Sequence, residues 1–331
     1  KEITVPQSIT QIDQDVFWGC TSLTNVELDA VKTIGYSAFK DCTALKEITL
    51  PETLVQLEHG VFFGCIALAD VTLPESVTSI GDAAFAACEN LPTIKIPSKV
   101  TYIGHTAFHM DYKLNNVILP DTLTVSEKEA FANCTALTYV GFGKQLATIG
   151  ERAFNGCTSL EEVSLSNAVA TIGHLAFKDC TALQTVSLPD TVKAIGYQAF
   201  HNDTALTTIN IPLSWEICLE YSSWYYGHAF EGCTSLTDII VPEGMITLPQ
   251  YAFDGCTYLQ NVSLPSTLKI IGDFAFRDCS GIAGITLPEG LTTIKDYAFQ
   301  GSGLTEIHFP AGMRTVGAFA FAECPALETV T

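Results

Sequence analysis

The sequence predicts a solenoid of about fourteen coils with about 23 residues in each coil. The first observation is a Phe, always preceded by Ala or Val, that returns at intervals of 22 or 23 residues, with one longer interval of 30. A fixed period of tens of residues is typical of proteins that stack one structural unit on the next. The repeated phenylalanines are Phe17, Phe39, Phe62, Phe85, Phe108, Phe131, Phe154, Phe177, Phe200, Phe230, Phe253, Phe276, Phe299 and Phe321.

The first element of each coil has the pattern of a short β-strand. In the unit that begins at Leu68, the apolar residues Val71 and Leu73 are two positions apart, which is the period of a strand with one buried face. Pro74 then ends the strand, because proline cannot donate a hydrogen bond to a neighbouring strand. Prolines at the same place in other units are Pro6, Pro51, Pro97, Pro120, Pro189, Pro212, Pro242, Pro265, Pro288 and Pro310. Stacked coils therefore form one parallel sheet.

The second half of each coil is predicted to contain a short helical or 3₁₀ turn. In the same unit, Ile80, Phe85, Cys88 and Leu91 have a spacing that approximates a helical stripe. Gly81 opens this turn, either because the backbone needs a conformation that other residues tolerate poorly or because it approaches the next coil closely. The repeated Phe side chains are expected to form an internal spine.

The composition limits the class of partner. The chain of 331 residues has 36 acidic and 16 basic residues, which gives a formal net charge of -20. This charge disfavours nucleic acid and anionic lipid surfaces. Since no apolar run reaches the length of a membrane span, we expect no membrane insertion in this segment. The unbroken repeat predicts a single domain over residues 1–331, and because both ends fall inside a repeat we expect it to be part of a longer chain.

The cysteines are predicted to be free, buried thiols. Eleven of the twelve lie three residues after a repeated Phe. Equivalent side chains of stacked coils point in parallel, a geometry that does not suit disulfides. No close Cys or His pair accompanies these positions, so neither zinc nor another cofactor is predicted. Cys218 lies outside this register, and is either an exposed thiol or one packed beneath a loop.

No catalytic residue is predicted, and the chain is not expected to be an enzyme. The motifs of serine hydrolases, P-loop proteins, dinucleotide-binding proteins and zinc proteases do not occur. Asp111 and Asp203 replace the repeated Cys and follow His109 and His201 by two positions. A local contact between each His and Asp is expected, but a catalytic dyad also requires an oriented nucleophile.

The repeated phrase L-x-x-I-x-L-P, followed by I-G-x-x-A-F-x-x-C-x-x-L, resembles the BspA-like, or Treponema pallidum type, class of leucine-rich repeats over the entire chain. The resemblance implies a leucine-rich-repeat solenoid of the α/β horseshoe class, mostly β, with its parallel sheet on the concave face. It also implies a bacterial protein on or outside the cell surface. Members of the family are linked to adhesion, so the implied partner is a protein on host or neighbouring cells.

The long interval between Phe200 and Phe230 contains an insertion over residues 213–228. Its aromatic residues are Trp215, Tyr221, Trp224, Tyr225 and Tyr226. Aromatic side chains are favoured at contact surfaces. The insertion is therefore a predicted ligand-binding site at the rim of the concave sheet, beside Asn210 and Asp238. The alternative is that these rings fold back over the coil as a local core.

These observations favour a noncatalytic recognition or adhesion protein that is secreted or held at the cell surface. It would bind other proteins through its concave face and the aromatic insertion. One alternative is a glycan-binding module that uses stacking on Trp215 and Trp224. Another is a structural spacer that presents other domains.

Overall fold

The fold is a parallel-strand β-solenoid of about fourteen turns of about 23 residues, as the repeat predicts. The computed structural model describes residues 1–219 and 227–331. These residues form two compact units, Lys1–Glu161 and Glu162–Thr331, and each unit is described by itself.

Every strand is short, with two or three residues. The unit Lys1–Glu161 contains β1 Glu2–Thr4, β2 Gln11–Ile12, β3 Asn25–Glu27, β4 Thr33–Ile34, β5 Glu47–Thr49, β6 Gln56–Leu57, β7 Asp70–Thr72, β8 Ser79–Ile80, β9 Tyr102–Ile103, β10 Asn116–Ile118, β11 Val125–Ser126, β12 Tyr139–Gly141 and β13 Thr148–Ile149. The unit Glu162–Thr331 contains β14 Glu162–Ser164, β15 Thr171–Ile172, β16 Thr185–Ser187, β17 Ala194–Ile195, β18 Thr208–Ile209, β19 Ile217–Cys218, β20 Asp238–Ile240, β21 Thr247–Leu248, β22 Asn261–Ser263, β23 Ile270–Ile271, β24 Thr293–Ile294, β25 Glu306–Ile307, β26 Thr315–Val316 and β27 Thr329–Val330.

Two parallel ladders run through each unit. The first joins the strands that precede the repeated proline; in β5 and β7, for example, Ile48 is opposite Val71, and both are buried between exposed neighbours. The second ladder joins strands that lie between the proline and the Phe, as where Ile80 of β8 is opposite Ile103 of β9. Because the side-chain period of a strand is two, one apolar residue in each short strand suffices to face the core.

The predicted helical turn is wrong. No helix occurs in residues 1–219 or 227–331, and the segment around each repeated Phe forms turns instead. The residues two before and two after the Phe have left-handed backbones, as Ala83 (φ 52°) and Ala87 (φ 59°) show on either side of Phe85. An α-helix cannot continue through such residues. The backbone bonds to the next coil instead, for example from Phe85 N to Ala107 O at 2.9 Å.

Gly81 illustrates why glycine recurs before this turn. Its φ lies outside the left-handed region, but a Cβ atom at this position would be 2.7 Å from Leu57 O in the preceding coil. Close approach between coils, the second of the two predicted reasons, is therefore the one that applies.

The repeated Phe side chains form the predicted spine. In the first unit the ring centroids of Phe17 and Phe39 are 5.1 Å apart, and those of Phe39 and Phe62 are 5.6 Å apart. In the second unit the corresponding distance between Phe276 and Phe299 is 5.2 Å. Each of these pairs is stacked, and spine residues from Phe39 to Phe299 are fully buried. Each ring therefore packs against the rings of adjacent coils within its unit.

The cysteines are free, as predicted. Most of them are buried, and several thiols bond to the backbone of an adjacent coil, as where Cys65 Sγ donates to Phe39 O at 3.1 Å. Burial raises the pKa of the Cys42 thiol to about 11. Cys218 is also buried, and it lies opposite Ile195 in the second ladder, so it occupies the position of a core Ile. Of the two alternatives predicted for Cys218, the exposed thiol is therefore wrong.

Asp111 and Asp203 take the core position of the repeated Cys. Both are fully buried, and each accepts one backbone hydrogen bond at 2.8 Å, from Cys88 N and from Cys180 N respectively. The second carboxyl oxygen of each has no partner among the described residues. Burial therefore raises the pKa of both carboxyls well above the usual value.

The expected contacts between each of these aspartates and the preceding His do not form. His109 Nε2 instead lies 3.1 Å from Asn133 Nδ2, and His201 Nδ1 lies 3.3 Å from Glu231 Oε2. The side chain one position after the spine Phe points away from the core, whereas the side chain three positions after it points into the core.

Candidate functional site

The insertion begins later in the coil than the sequence suggested. The strand β19 pairs with β17 in the regular register, and Leu219 N donates to Ile195 O at 2.8 Å. The equivalent bond in the preceding coil, from Gly196 N to Ile172 O, is also 2.8 Å long. Residues up to Leu219 therefore keep the repeat geometry, so the predicted start of the insertion at residue 213 is wrong. In the sequence, the added residues therefore fall between β19 and the spine turn.

Trp215 belongs to the core and not to an exposed surface. Only 2% of its area is exposed, and its ring meets those of Phe230 and Phe253 edge-on, at centroid distances of 6.4 and 6.0 Å. Its backbone N donates to Pro212 O, just as Val192 N donates to Pro189 O one coil earlier. Trp215 therefore occupies a regular apolar position of the repeat, and its predicted exposure to a ligand is wrong. Tyr221, Trp224, Tyr225 and Tyr226 lie outside the described residues.

The insertion rejoins the repeat beside two aromatic residues. Gly227 O accepts a hydrogen bond from Gln198 N at 3.2 Å. The backbone of Gly227 is left-handed (φ 67°), and an added Cβ atom would collide with the side chain of Tyr251. The next residue, His228, packs edge-on against the ring of Tyr197 at 6.1 Å. The described ends of the insertion are thus attached to the second ladder and the spine turn.

Asn210 and Asp238 lie elsewhere, on the ladder of strands that precede the proline. The Asn210 side chain bonds to both backbone groups of Leu188, at 2.7 and 2.5 Å. Asp238 accepts from Asn261 Nδ2 at 2.8 Å, and hydrogen bonds from Thr237 and Asn261 lower the pKa of its carboxyl. The described ends of the insertion bond to Ile195 and Gln198 and not to this pair.

An aromatic stripe begins at Tyr251, where the insertion returns. It consists of Tyr251, Phe274, Tyr297 and Phe319, each two residues before a spine Phe. Successive ring centroids are 4.7, 4.7 and 5.0 Å apart, and the rings are nearly parallel. Phe319 is 61% exposed and the other three rings are half-buried. The regular spacing of 22 or 23 residues could have revealed this stripe, but it does not lie on the predicted sheet face.

The left-handed backbone at the stripe is a property of the fold. The same φ range occurs two residues before the spine Phe in other coils, where the residue is Asp15, Thr106 or Leu175. A non-glycine residue in this conformation costs roughly 1–2 kcal/mol, whereas an aromatic pair contributes about 0.5–1.5 kcal/mol beyond burial. Stacking therefore offsets part of a cost that the repeat imposes everywhere.

A charged cluster lies next to the stripe and consists of His201, His228, Glu231, Asp254 and Arg277. Arg277 forms a bidentate pair with Asp254, with Nε to Oδ1 at 2.8 Å and Nη2 to Oδ2 at 2.6 Å. Its guanidinium carbon also lies 4.8 Å from the ring centroid of Phe274. Asp254 is fully buried, and burial raises the pKa of its carboxyl although the bonds from Arg277 oppose the shift. The guanidinium links the cluster to the stripe.

The repeat unit itself decides the family. The profile described as "BspA type Leucine rich repeat region" matches residues 1–112, 101–224 and 225–331. The chain belongs to the BspA-type leucine-rich repeat family. This result confirms the resemblance on which the fold prediction partly rested.

Solved structures of other leucine-rich repeat proteins resemble this BspA-type chain. A leucine-rich repeat protein from Bacteroides ovatus has 27% sequence identity and a TM-score of 0.74, and the match covers 99% of this chain and 86% of that one. A leucine rich cell surface protein from Faecalibacterium prausnitzii has 30% identity and a TM-score of 0.53, with 88% of this chain and 86% of that one covered. No curated protein matches the chain.

Within residues 1–219 and 227–331, no helix has the length and apolar character needed to cross a membrane. In the same residues, no group of three or more His, Cys, Asp or Glu side chains is arranged to hold a metal ion.

Proposed function

We propose that this protein is a noncatalytic recognition module that is displayed on or secreted from a bacterial cell and binds other proteins. Its contact region is the aromatic stripe together with the insertion that ends beside it. The observation that carries the proposal is the stripe, because it adds stacked, partly exposed rings to four coils whose cores are already filled by spine Phe residues.

The proposed location rests on family and similarity. BspA-type repeat proteins are often associated with the cell surface. The similar protein from Faecalibacterium prausnitzii is described as a cell surface protein. The formal net charge of -20 suits a soluble surface that repels anionic polymers and lipids.

The geometry of the stripe favours a protein partner over a glycan. A sugar stacks on the face of an aromatic ring, but both faces of Phe274 and Tyr297 are covered by their neighbours in the stripe. These rings therefore offer their edges to a partner. Edge contacts with apolar and aromatic side chains are common at protein interfaces, in which Tyr, Phe and Arg are enriched. The glycan alternative also loses Trp215, one of its two stacking residues, to the core.

The ladder of strands that precede the proline supplies a second, smaller contact surface in the proposal. Asp238 and Ile240 point outwards from β20, and Ile240 is 73% exposed. The side chains opposite them, Asn261 and Ser263 of β22, are polar. The face that β20 and β22 form, with one exposed apolar residue among polar ones, lacks the buried aromatic anchors of strong interfaces. Most of the binding energy is therefore assigned to the stripe.

The test compares the wild type with the double variant Phe274→Ala, Tyr297→Ala on an array of immobilised matrix proteins and glycans. The control is Tyr258→Ala, which removes an exposed Tyr of the same unit outside the stripe. The proposal predicts that the wild type and the control are retained by the same matrix proteins and that the double variant is not. Equal retention of the double variant would show that the stripe is not the contact region. Retention by glycans alone would favour the glycan-binding alternative.

A further inference from the structure

The surface that carries the aromatic stripe is acidic. In the four coils of the stripe, the segments from four residues before to two residues after the spine Phe contain five acidic and two basic residues, a formal charge of -3. These segments are residues 249–255, 272–278, 295–301 and 317–323. A surface of negative potential attracts a partner of positive charge and repels an acidic one. The sign of this charge therefore limits the chemistry of the partner.

Both basic residues of these segments are already paired. Arg277 uses its Nε and Nη2 atoms for the two carboxyl oxygens of the buried Asp254. Lys295 Nζ lies 3.5 Å from Asp273 Oδ2. The two pairs cancel two of the five negative charges. They also leave no basic side chain of the four segments without an acidic partner, so the surface has no unpaired cation to offer to an anionic partner.

One exposed carboxylate lies along the first side of the stripe. Asp296 directly precedes Tyr297, and its Oδ1 atom accepts a hydrogen bond from Ala318 N at 2.7 Å. Ala318 in turn directly precedes Phe319, so this carboxylate lies beside the backbone that carries the last two rings. The bond fixes the side chain but does not neutralise its charge, and Asp296 is exposed.

Two more carboxylates border the other side of the stripe, where the chain continues beyond the spine Phe. Arg277 lies between Asp278 and the stripe, because its guanidinium carbon is 4.8 Å from the ring centroid of Phe274 and its Nε atom is 3.8 Å from Asp278 Oδ2. Glu323 occupies the same position of its coil as Asp278, and its Oε2 atom accepts from Gln300 Nε2 at 3.3 Å. Both acidic residues are exposed, and neither has a basic partner of its own in the described chain.

We propose that the stripe recognises a cationic segment of a protein partner, in which Lys or Arg side chains flank apolar ones. The apolar side chains contact the ring edges of Phe274 and Tyr297. The cations face the three exposed carboxylates of Asp278, Asp296 and Glu323. An acidic segment is disfavoured, because both basic side chains of the surface already have acidic partners. The inference rests on the function proposed above, since it names the partner of the same surface.

The experiment measures binding of the protein to three immobilised synthetic peptides of equal length, in which Leu alternates with Lys, with Ser or with Glu. We expect the wild type to bind the Leu–Lys peptide more tightly than the other two. Because salt screens the attraction between exposed charges, this binding should weaken as the ionic strength rises.

Two double variants separate the carboxylates of the stripe from the charge of the whole protein. Asp296→Asn, Glu323→Gln keeps an oxygen that can accept the existing hydrogen bonds. It should bind the Leu–Lys peptide more weakly by roughly a factor of two to five for each charge removed, the upper range for exposed ion pairs. The matched control, Glu289→Gln, Glu328→Gln, removes two exposed carboxylates of the same unit outside the four segments and should bind as the wild type.

The outcomes distinguish this inference from the proposed function. Absence of binding to the Leu–Lys peptide, tighter binding to either of the other peptides, or equal weakening of the two double variants would overturn the cationic partner. None of these results would contradict retention of the protein on the matrix array through the stripe. Undiminished binding of the Leu–Lys peptide by Phe274→Ala, Tyr297→Ala would instead contradict the stripe as the contact region, and with it the function proposed above.

Discussion

The spine and the stripe are two rows of aromatic residues with the same spacing but different roles. The spine has a Phe in every coil, and its rings are buried from Phe39 to Phe299. The stripe, two residues earlier, is aromatic only from Tyr251 to Phe319, and its last ring is 61% exposed. Elsewhere in the described chain the stripe position holds residues as different as Asp15, Thr106 and Leu175.

The contrast teaches how to separate fold from function in a repeat protein. A residue type that every coil requires is explained by burial, because each coil must fill the same interior space. A residue type that appears in a few adjacent coils, at a position where other coils tolerate almost anything, is not required by the fold. The stripe is of this second kind, and it lies where the only long insertion rejoins the repeat.

The largest expected effect concerns Trp215, which the structure assigns to the core. Trp215→Ala should lower the free energy of unfolding by roughly 3–5 kcal/mol, because truncation of a buried aromatic residue leaves a cavity. Chemical denaturation monitored by circular dichroism measures this loss. The matched control is Trp18→Ala, since Trp18 is 55% exposed. Equal effects of the two substitutions would contradict the burial of Trp215.

A smaller effect is expected at the core position that Asp203 shares with the repeated cysteines. Asp203→Cys should raise the stability by about 1–3 kcal/mol at neutral pH, because it removes a buried carboxyl oxygen that has no partner. Burial raises the pKa of Asp203 in the folded protein. The folded state therefore favours the protonated form, and the stability of the wild type is lost as the pH rises through the folded pKa. The difference between the variant and the wild type should accordingly shrink as the pH falls towards 4.

Ser302 offers the control for this pH dependence. It occupies the same buried position in another coil and does not titrate. Ser302→Cys should change the denaturation midpoint by a similar amount at every pH. If the stability of Asp203→Cys also differs from that of the wild type by the same amount at every pH, the Asp203 carboxyl is not responsible for the expected effect.

The register of the repeat makes the fold predictable from the sequence. Strand, proline and spine positions follow from residues that recur once in every coil. The spacing of Ile80, Phe85 and Cys88 imitates a helix, although Ile80 belongs to the second strand and the other two lie in the segment of turns that follows it. The spacing does not reveal the left-handed residues on either side of Phe85.

The candidate site was harder to predict because it depends on contacts between coils. The aromatic composition of the insertion predicts a contact site that includes Trp215, although Trp215 lies at the repeat position that Val192 occupies in the preceding coil. Aligned in this way, it would have been assigned to the core. His228 and Glu231 lie near each other in the sequence, but Asp254 and Arg277 come from later coils, and no motif in a single sequence joins them.

The most direct test of the difference between the stripe and the spine uses one coil, in which Phe274 belongs to the stripe and Phe276 to the spine. Each is replaced with Ala, and the denaturation midpoint and retention on the array of matrix proteins are measured for both. Phe274→Ala should lose retention while its stability falls by about 1 kcal/mol or less, the value of an aromatic contact at a partly exposed site. Phe276→Ala should lose roughly 3–5 kcal/mol of stability. If Phe274→Ala keeps full retention, or unfolds as readily as Phe276→Ala, the assignment of the stripe to recognition and the spine to the fold is contradicted.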